Sequence, residues 1–245
     1  MLKQKNITLA ATLVLGMSLF SSTALATSEN TSETAERFYS QELGAEISAY
    51  SNTEGGLVPL TKEEFESLNF ESESDDIDIV NVPLSKSVMP TNLTTGTVSG
   101  DVTVMDVYRQ WYKYFESSVT TYTGDPIQVT SDINCNTSTC AISKSVSATV
   151  SASYSVSAQA EKDAIKAGVS YTWINSASDT STYSFSLKKG DKGYVAFLPT
   201  KKKSSGSLKK YSNEHGLISS KSVYARTPVK LSNGELKGTY TFIYK

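Results

Sequence analysis

Every odd position from Ser143 to Ser157 is Ser or Thr, while the even positions read Lys144, Val146, Ala148, Val150, Ala152, Tyr154 and Val156. Chemistry that alternates with a period of two belongs to a β-strand, whose successive side chains point to opposite faces. Ser143, Ser145, Ser147, Thr149, Ser151, Ser153, Ser155 and Ser157 therefore form one hydroxyl face. The pattern returns with reversed parity: Ser170, Thr172, Ser176, Ser178, Thr180, Thr182, Ser184 and Ser186 form a second such face, broken by Ile174, opposite Val169, Tyr171, Trp173, Tyr183 and Phe185. Two strands with one hydroxyl face each predict an antiparallel ribbon. Such a ribbon coats the outside of a soluble sheet or lines a membrane pore, and the functional question reduces to that choice.

The link between the two strands, Ala158 to Gly168, is rich in Ala, Glu and Lys and closes on glycine, which predicts one or two turns of helix. A link centred there sets Ser176 to Thr180 beside Val146 to Val150. The would-be lipid face of the second strand then carries Asn175, Asp179 and Ser181.

Residues 1–26 carry Lys3 and Lys5, an apolar run from Ile7 to Phe20, and Ala24-Leu25-Ala26, the pattern of a secretory signal peptide. The apolar run is shorter than the ~20 residues of a spanning helix, so the mature chain is expected to start at Thr27 and to be secreted and extracellular. In an oxidising compartment Cys135 and Cys140, the only two thiols, are expected to form a disulfide across a short turn-rich loop. A structural zinc site usually takes four Cys or His ligands, which one distant histidine does not supply. No metal or cofactor is expected.

Charge divides the chain. Residues 27–80 hold 14 acidic side chains against Arg37 and Lys62, whereas residues 81–245 hold 11 acidic and 19 basic ones. With few large apolar residues and Gly55-Gly56, the acidic part reads as a flexible solubilising segment or as an intramolecular mask over a basic body. The organisation is then a signal peptide (1–26), an acidic segment (27–80) and a β-rich domain (81–245).

Within that domain Val104, Tyr108, Trp111, Tyr112 and Phe115 follow helical spacing and predict a short helix over 104–117, its aromatic stripe packed as core or facing a membrane interface or sugar rings. Beyond the ribbon come a turn at Lys188 to Gly193, a strand from Tyr194 to Leu198, and an Asn233-Gly234 hairpin signal before a terminal strand, Gly238 to Tyr244. The expected fold is mainly β: an elongated antiparallel sheet with long Ser/Thr-faced strands, one short aromatic helix and a disordered acidic N-terminal segment.

Enzyme chemistry has little to stand on. His215 is the only histidine and reads as a surface-loop residue, and the chain has no Gly-x-Ser-x-Gly elbow, His-Glu-x-x-His pair or phosphate-binding glycine loop. Lys201, Lys202 and Lys203 read as a solvated loop or as a surface-binding cluster for anionic lipid or wall polymer. No nucleic-acid-reading motif accompanies them.

Val146 to Val156 gives an eleven-residue window with one apolar and one hydroxyl face, about the length of a membrane-crossing strand. This window, with Val169, Tyr171, Trp173, Tyr183 and Phe185 on the returning strand, resembles the insertion hairpin of aerolysin-type β-pore-forming proteins, including the epsilon-toxin and mosquitocidal-toxin branch. The resemblance covers roughly residues 127–200. It implies a Ser/Thr-rich amphipathic hairpin that leaves a soluble monomer and inserts after homo-oligomerisation on a membrane. The competing expectation is a secreted surface-binding or structural sheet protein attached to a cell wall or matrix. Expected partners are thus a membrane lipid or a cell-surface polymer, not nucleic acid.

Overall fold

The structure, a computed structural model, describes residues 35–73 and 107–245 apart from positions 146 and 181. The expected signal peptide, residues 27–34 and 74–80 of the acidic segment, Val104 and Val146 lie outside the described residues.

The architecture is mainly β. The acidic segment contributes β1 (Phe38–Ser40), β2 (Ala45–Thr53), β3 (Gly56–Pro59) and α1 (Lys62–Glu66). After them come β4 (Gln110–Thr123), β5 (Ile127–Gln128), β6 (Ile133–Asn134), β7 (Thr139–Ser145), β8 (Ala148–Ser151), β9 (Ser153–Tyr154) and α2 (Gln159–Gly168). The chain closes with β10 (Ser176–Asp179), β11 (Thr182–Lys188), β12 (Lys192–Ser212), β13 (Gly216–Pro228) and β14 (Gly238–Tyr244). A ten-stranded antiparallel sheet runs β1-β2-β14-β12-β13-β9, with β3 on β2 and with β4, β5 and β6 on β12. Two further pairs, β10 with β8 and β11 with β7, are two-stranded sheets of their own.

The 21 residues of β12 span roughly 70 Å at about 3.3 Å per residue. Its first part is laddered to β14 from Gly193 to Pro199, and its second to β13 and β4 from Thr200 onward. Where its register with β4 shifts, between Ser205 and Gly206, a Cβ on Gly206 would lie 2.2 Å from the Phe115 carbonyl oxygen, so only glycine fits there.

Several expectations are corrected. The aromatic stripe is no helix: from Gln110 it belongs to β4, where pairing with β12 supplies a backbone ladder that overrides the helical spacing. Lys201, Lys202 and Lys203 are no loop but lie mid-strand in β12. The two long hydroxyl-faced strands are divided, the first among β7, β8 and β9 and the second among β10 and β11, starting only at Ser176, where the facing stretch, β9, takes β13 as its ladder partner. The acidic segment is not disordered over residues 35–73. There β2 pairs with β14, and Phe38, Ile47, Ala49 and Phe65 share a core with Ala196, Leu198 and Ile243. Helix α1 starts at a capping box in which Thr61 Oγ1 accepts from Glu64 N at 3.2 Å and Glu64 Oε2 accepts from Thr61 N at 2.9 Å.

Other expectations stand. The link between hydroxyl-faced strands is helical, as α2. Asn233 and Gly234 form a turn, with Gly234 at φ 91° and Leu231 N donating to Glu235 O at 2.8 Å, although it closes only the isolated bridge Lys230 to Leu236. His215 sits in an exposed turn with 70% of its side chain accessible. Cys135 and Cys140 are disulfide-bonded.

Candidate functional site

The hydroxyl-faced ribbon is the feature the sequence singles out, and its two halves keep one register through the interruption. Ser145 is opposite Thr182 and Ala148 opposite Asp179, so the pairs on the two sides share one register. The pairing brings Ser176 opposite Ser151, Ala177 opposite Val150 and Ser178 opposite Thr149, the juxtaposition the alternation predicts. Even beyond the strands the register persists: Ala152 N donates to Asn175 O at 2.8 Å, and the Tyr154 and Trp173 rings pack 5.2 Å apart.

One register puts like with like. Ser147, Thr149, Ser151, Ser176, Ser178, Thr180, Thr182 and Ser186 are exposed, and the Thr149 and Ser178 hydroxyls hydrogen-bond across the ribbon at 3.0 Å. Ser155, Ser157, Ser170 and Thr172 are also exposed, outside the strands, while Ser153 in β9 is half-buried. Ser143, Ser145 and Ser184 hold backbone register positions opposite Ser184, Thr182 and Ser143.

The opposite face is tucked against the main sheet. Ala148, Val150, Ala177, Phe185 and Leu187 are buried among Tyr50, Val195, Phe197, Tyr240 and Phe242, with the Tyr50 and Phe185 rings edge-on at 5.6 Å. Tyr183 holds a register position opposite Lys144. Asp179, the acid on the would-be lipid face, is fully buried and accepts a hydrogen bond from Tyr240 Oη at 2.7 Å.

Toward α2 the apolar set parts from the ribbon. Val156 joins Tyr114, Ile165, Leu208, Val223 and Ala225 in a separate core, against which Tyr154, Val169 and Trp173 pack half-buried. Val169, Tyr171 and Trp173 lie on an irregular segment rather than a strand. Thr227 Oγ1 pins that segment, accepting from Ile174 N at 3.0 Å and donating to Ile174 O at 2.7 Å. Burial, then the nearby Glu116 charge, pushes the Tyr171 hydroxyl well above the usual tyrosine range. At the ribbon base the disulfide loop is tied to the sheet, with Cys135 N donating to Asp191 O at 2.9 Å and Gly190 N to Cys135 O at 2.8 Å.

The three candidate surface lysines do not form one exposed cluster. Lys201 is 8% exposed and ion-paired to Glu73, Lys203 is paired to Glu71, and Arg226 reaches the same Glu71 at 3.2 Å. Lys202 instead lies over the Tyr171 ring, 5.1 Å from its centre. The two glutamates come from the acidic segment, which reaches β4 through Thr123 N donating to Asn69 O at 2.6 Å and Glu71 N donating to Thr123 O at 3.2 Å. Tyr122 Oη donates to Glu73 at 3.1 Å; burial, then that carboxylate, pushes its pKa far up. Sequence reading gave the opposite charges of the two parts, but not that they meet at these residues.

A second surface escaped the sequence because its residues read as a helix and a loop. At the far end of the β4, β12 and β13 ladder, Trp111, Phe115 and Leu217 are 40%, 46% and 53% exposed, and Trp111 stacks on Tyr211 at 6.1 Å. Among the described residues no helix is long and apolar enough to cross a membrane.

Residues 106–245 match the model of a protein family described as "Family of unknown function (DUF6060)", and the chain belongs to it. No curated protein and no solved structure matches the chain.

Proposed function

We propose that this is a secreted, non-enzymatic protein that acts on membranes, opening a pore by releasing the ribbon formed by β7, β8, β10 and β11. The observation that carries the reading is the ribbon itself: it pairs only with itself in β7, β8, β10 and β11, hides its apolar face and already turns its hydroxyl face to solvent. The residues that would meet lipid are those now covered by the main sheet. Release would exchange that sheet for hydrocarbon on the apolar side and leave the hydroxyl side in water. It needs the β9 pairing to β13 and the Ile174 bonds to Thr227 to open, while the ribbon's own ladder stays intact. Closure into a barrel then calls for several copies, because a lone ribbon in lipid has two unpaired edges.

Dye release from liposomes tests this, and the obvious variant is unsuitable. Val150→Asp, an attractive lipid-face probe from sequence alone, would bury a charge at a side chain only 4% exposed and unfold the monomer. A staple is better. Tyr154 and Ala225 are Cα partners in an antiparallel pair, within reach of a disulfide, so Tyr154→Cys with Ala225→Cys would tie the ribbon's far end to β13. The chain from Thr27 is expected to release dye, the stapled chain to be silent, and reductant to restore release; wild type in reductant is the control, since Cys135–Cys140 opens as well. Undiminished release by the stapled chain would overturn the reading.

The alternative is a surface-binding sheet protein whose ribbon stays shut, favoured by the exposed hydroxyl face and its cross-strand bond between Thr149 and Ser178. It expects no release from any lipid, and retention on wall or matrix polymer.

A further inference from the structure

We propose that the far end of the β4, β12 and β13 ladder is a docking face for bilayers containing anionic phospholipid. Strand register brings the residues together: Tyr211 is opposite Trp111 on β4 and Leu217 on β13, Lys209 is opposite Lys113, and Ser207 is opposite Phe115. Cross-strand partners share a face, so Trp111, Lys113, Phe115, Lys209, Tyr211 and Leu217 form one surface. Among the described residues it is left open, with Trp111, Lys113, Phe115 and Leu217 exposed, while α2 packs through Ile165 with Tyr114, Leu208 and Val223, which occupy the alternate positions and hence the other side.

Its chemistry fits a membrane interface. Trp and Tyr combine an apolar ring with a polar tip and settle at the headgroup level of a bilayer. Leu217 adds an aliphatic side chain, which a sugar ring has no use for but acyl chains do. Lys209 lies over the Phe115 ring at 4.7 Å, holding its charge at the aromatic surface. The register positions of this face, Trp111 to Phe115, Ser205 to Tyr211 and Leu217 to Tyr224, hold no Asp or Glu. Among the described residues neither Lys113 nor Lys209 forms an ion pair with a carboxylate. The nearest acid by sequence, Glu116, is opposite Gly206 at an alternate position, where it accepts from Ser204 Oγ at 2.6 Å and from Ser170 N at 3.0 Å, and Glu214 lies in the turn beside His215 at 4.0 Å. An uncompensated cationic pair beside exposed aromatic and aliphatic side chains is complementary to negative headgroups over a hydrocarbon layer.

Docking needs no movement of the ribbon, so it stands apart from pore opening. The test is flotation of the exported form of the chain with vesicles of phosphatidylcholine alone or mixed with phosphatidylglycerol. Phe in place of Trp173 leaves Trp111 as the single indole, whose emission reports its surroundings. Binding to the mixed vesicles with a blue shift of Trp111 is expected, with binding to phosphatidylcholine at least tenfold weaker. Lys113→Glu with Lys209→Glu should weaken binding to the mixed vesicles by about tenfold or more, and Trp111→Ser with Leu217→Ser should abolish the blue shift. All four side chains are at the surface or half-exposed, so melting temperatures should not change. The stapled chain should still bind, which separates failure of docking from failure of pore opening. No binding to either vesicle, equal binding to both, or binding unmoved by both double variants would overturn the proposal. So would self-association in solution that Trp111→Ser with Leu217→Ser abolishes, which would assign the face to a second copy.

Discussion

The two ends of β12 belong to one strand and are built in different ways. From Val195 to Leu198 its side chains are fully covered, Val195 and Phe197 beneath the ribbon and Ala196 and Leu198 in a core shared with Phe65 of α1 and Ile47 and Ala49 on the same sheet. From Ser205 to Ser212 one side packs Leu208 against Ile165 of α2, and the other carries half-exposed Lys209 and Tyr211, the latter stacked on exposed Trp111. A strand whose stability is secured at one end can present at the other a surface that contributes little to folding. The stabilising and the presenting parts of the sheet are therefore separable by mutation.

The sharpest way to break that comparison is to truncate an aromatic at each end. Phe197→Ala, at a side chain 0% exposed and 4.7 Å from the Tyr240 ring, should cost about 3–5 kcal/mol in urea unfolding. Phe115→Ala should stay within about 0.5 kcal/mol; a loss comparable to that at Phe197 would mean the open end is structural after all. Between the two ends, Glu73→Gln removes the charge facing Lys201 and should cost about 2 kcal/mol, less than full loss of a buried pair because the amide oxygen still accepts from Tyr122. Circular dichroism melts would register it. Tyr240→Phe takes away the hydroxyl bonded to Asp179 and should cost about 1 kcal/mol while speeding dye release, since it loosens the ribbon but not the far end. The smallest effect at neutral pH is alkaline. Tyr50, Tyr114, Tyr122, Tyr154, Tyr171 and Tyr244 are all raised above the usual tyrosine value, first by burial. The folded protein thus holds protons that the unfolded chain gives up near pH 10, so stability is unaffected below about pH 10 and falls above it. Melting temperature followed from neutral to alkaline pH should show that break, and Tyr122→Phe should make it shallower.

What the sequence made legible was local and periodic. The hydroxyl alternation predicted the ribbon and the face each residue takes, because one face is buried and period two then fixes the face, while the Ala-, Glu- and Lys-rich stretch before Gly168 predicted the helical link. What it concealed was decided by partners far along the chain. Lys201-Lys202-Lys203-Ser204-Ser205-Gly206 has no apolar alternation, yet backbone ladders on both sides hold it as strand. Tyr108, Trp111, Tyr112 and Phe115 carry helical spacing by coincidence, and Val119 to Thr123, β-branched and aromatic, was the better guide to β4. In residues 35–73 the acidic count outweighed a quieter signal, Thr61 followed three residues later by Glu64, which marks the start of α1. The docking face could not be read at all, since its residues converge only through register.

The evenness of the ribbon also has a bearing on how the chain finds its fold. A slip by one residue would turn every hydroxyl inward and is strongly disfavoured, but a slip by two exchanges Ser for Ser or Thr and Ala for Val, and leaves the pattern nearly unchanged. The repeat therefore tolerates neighbouring alignments of the same hand. The choice among them falls to the few places that do not repeat: the Cys135–Cys140 loop at the base, Phe185 against Tyr50, and Asp179 under the Tyr240 hydroxyl. Shifted alignments would be the kinetic traps of this protein, and the disulfide, by anchoring one end, would shorten the search for the right one.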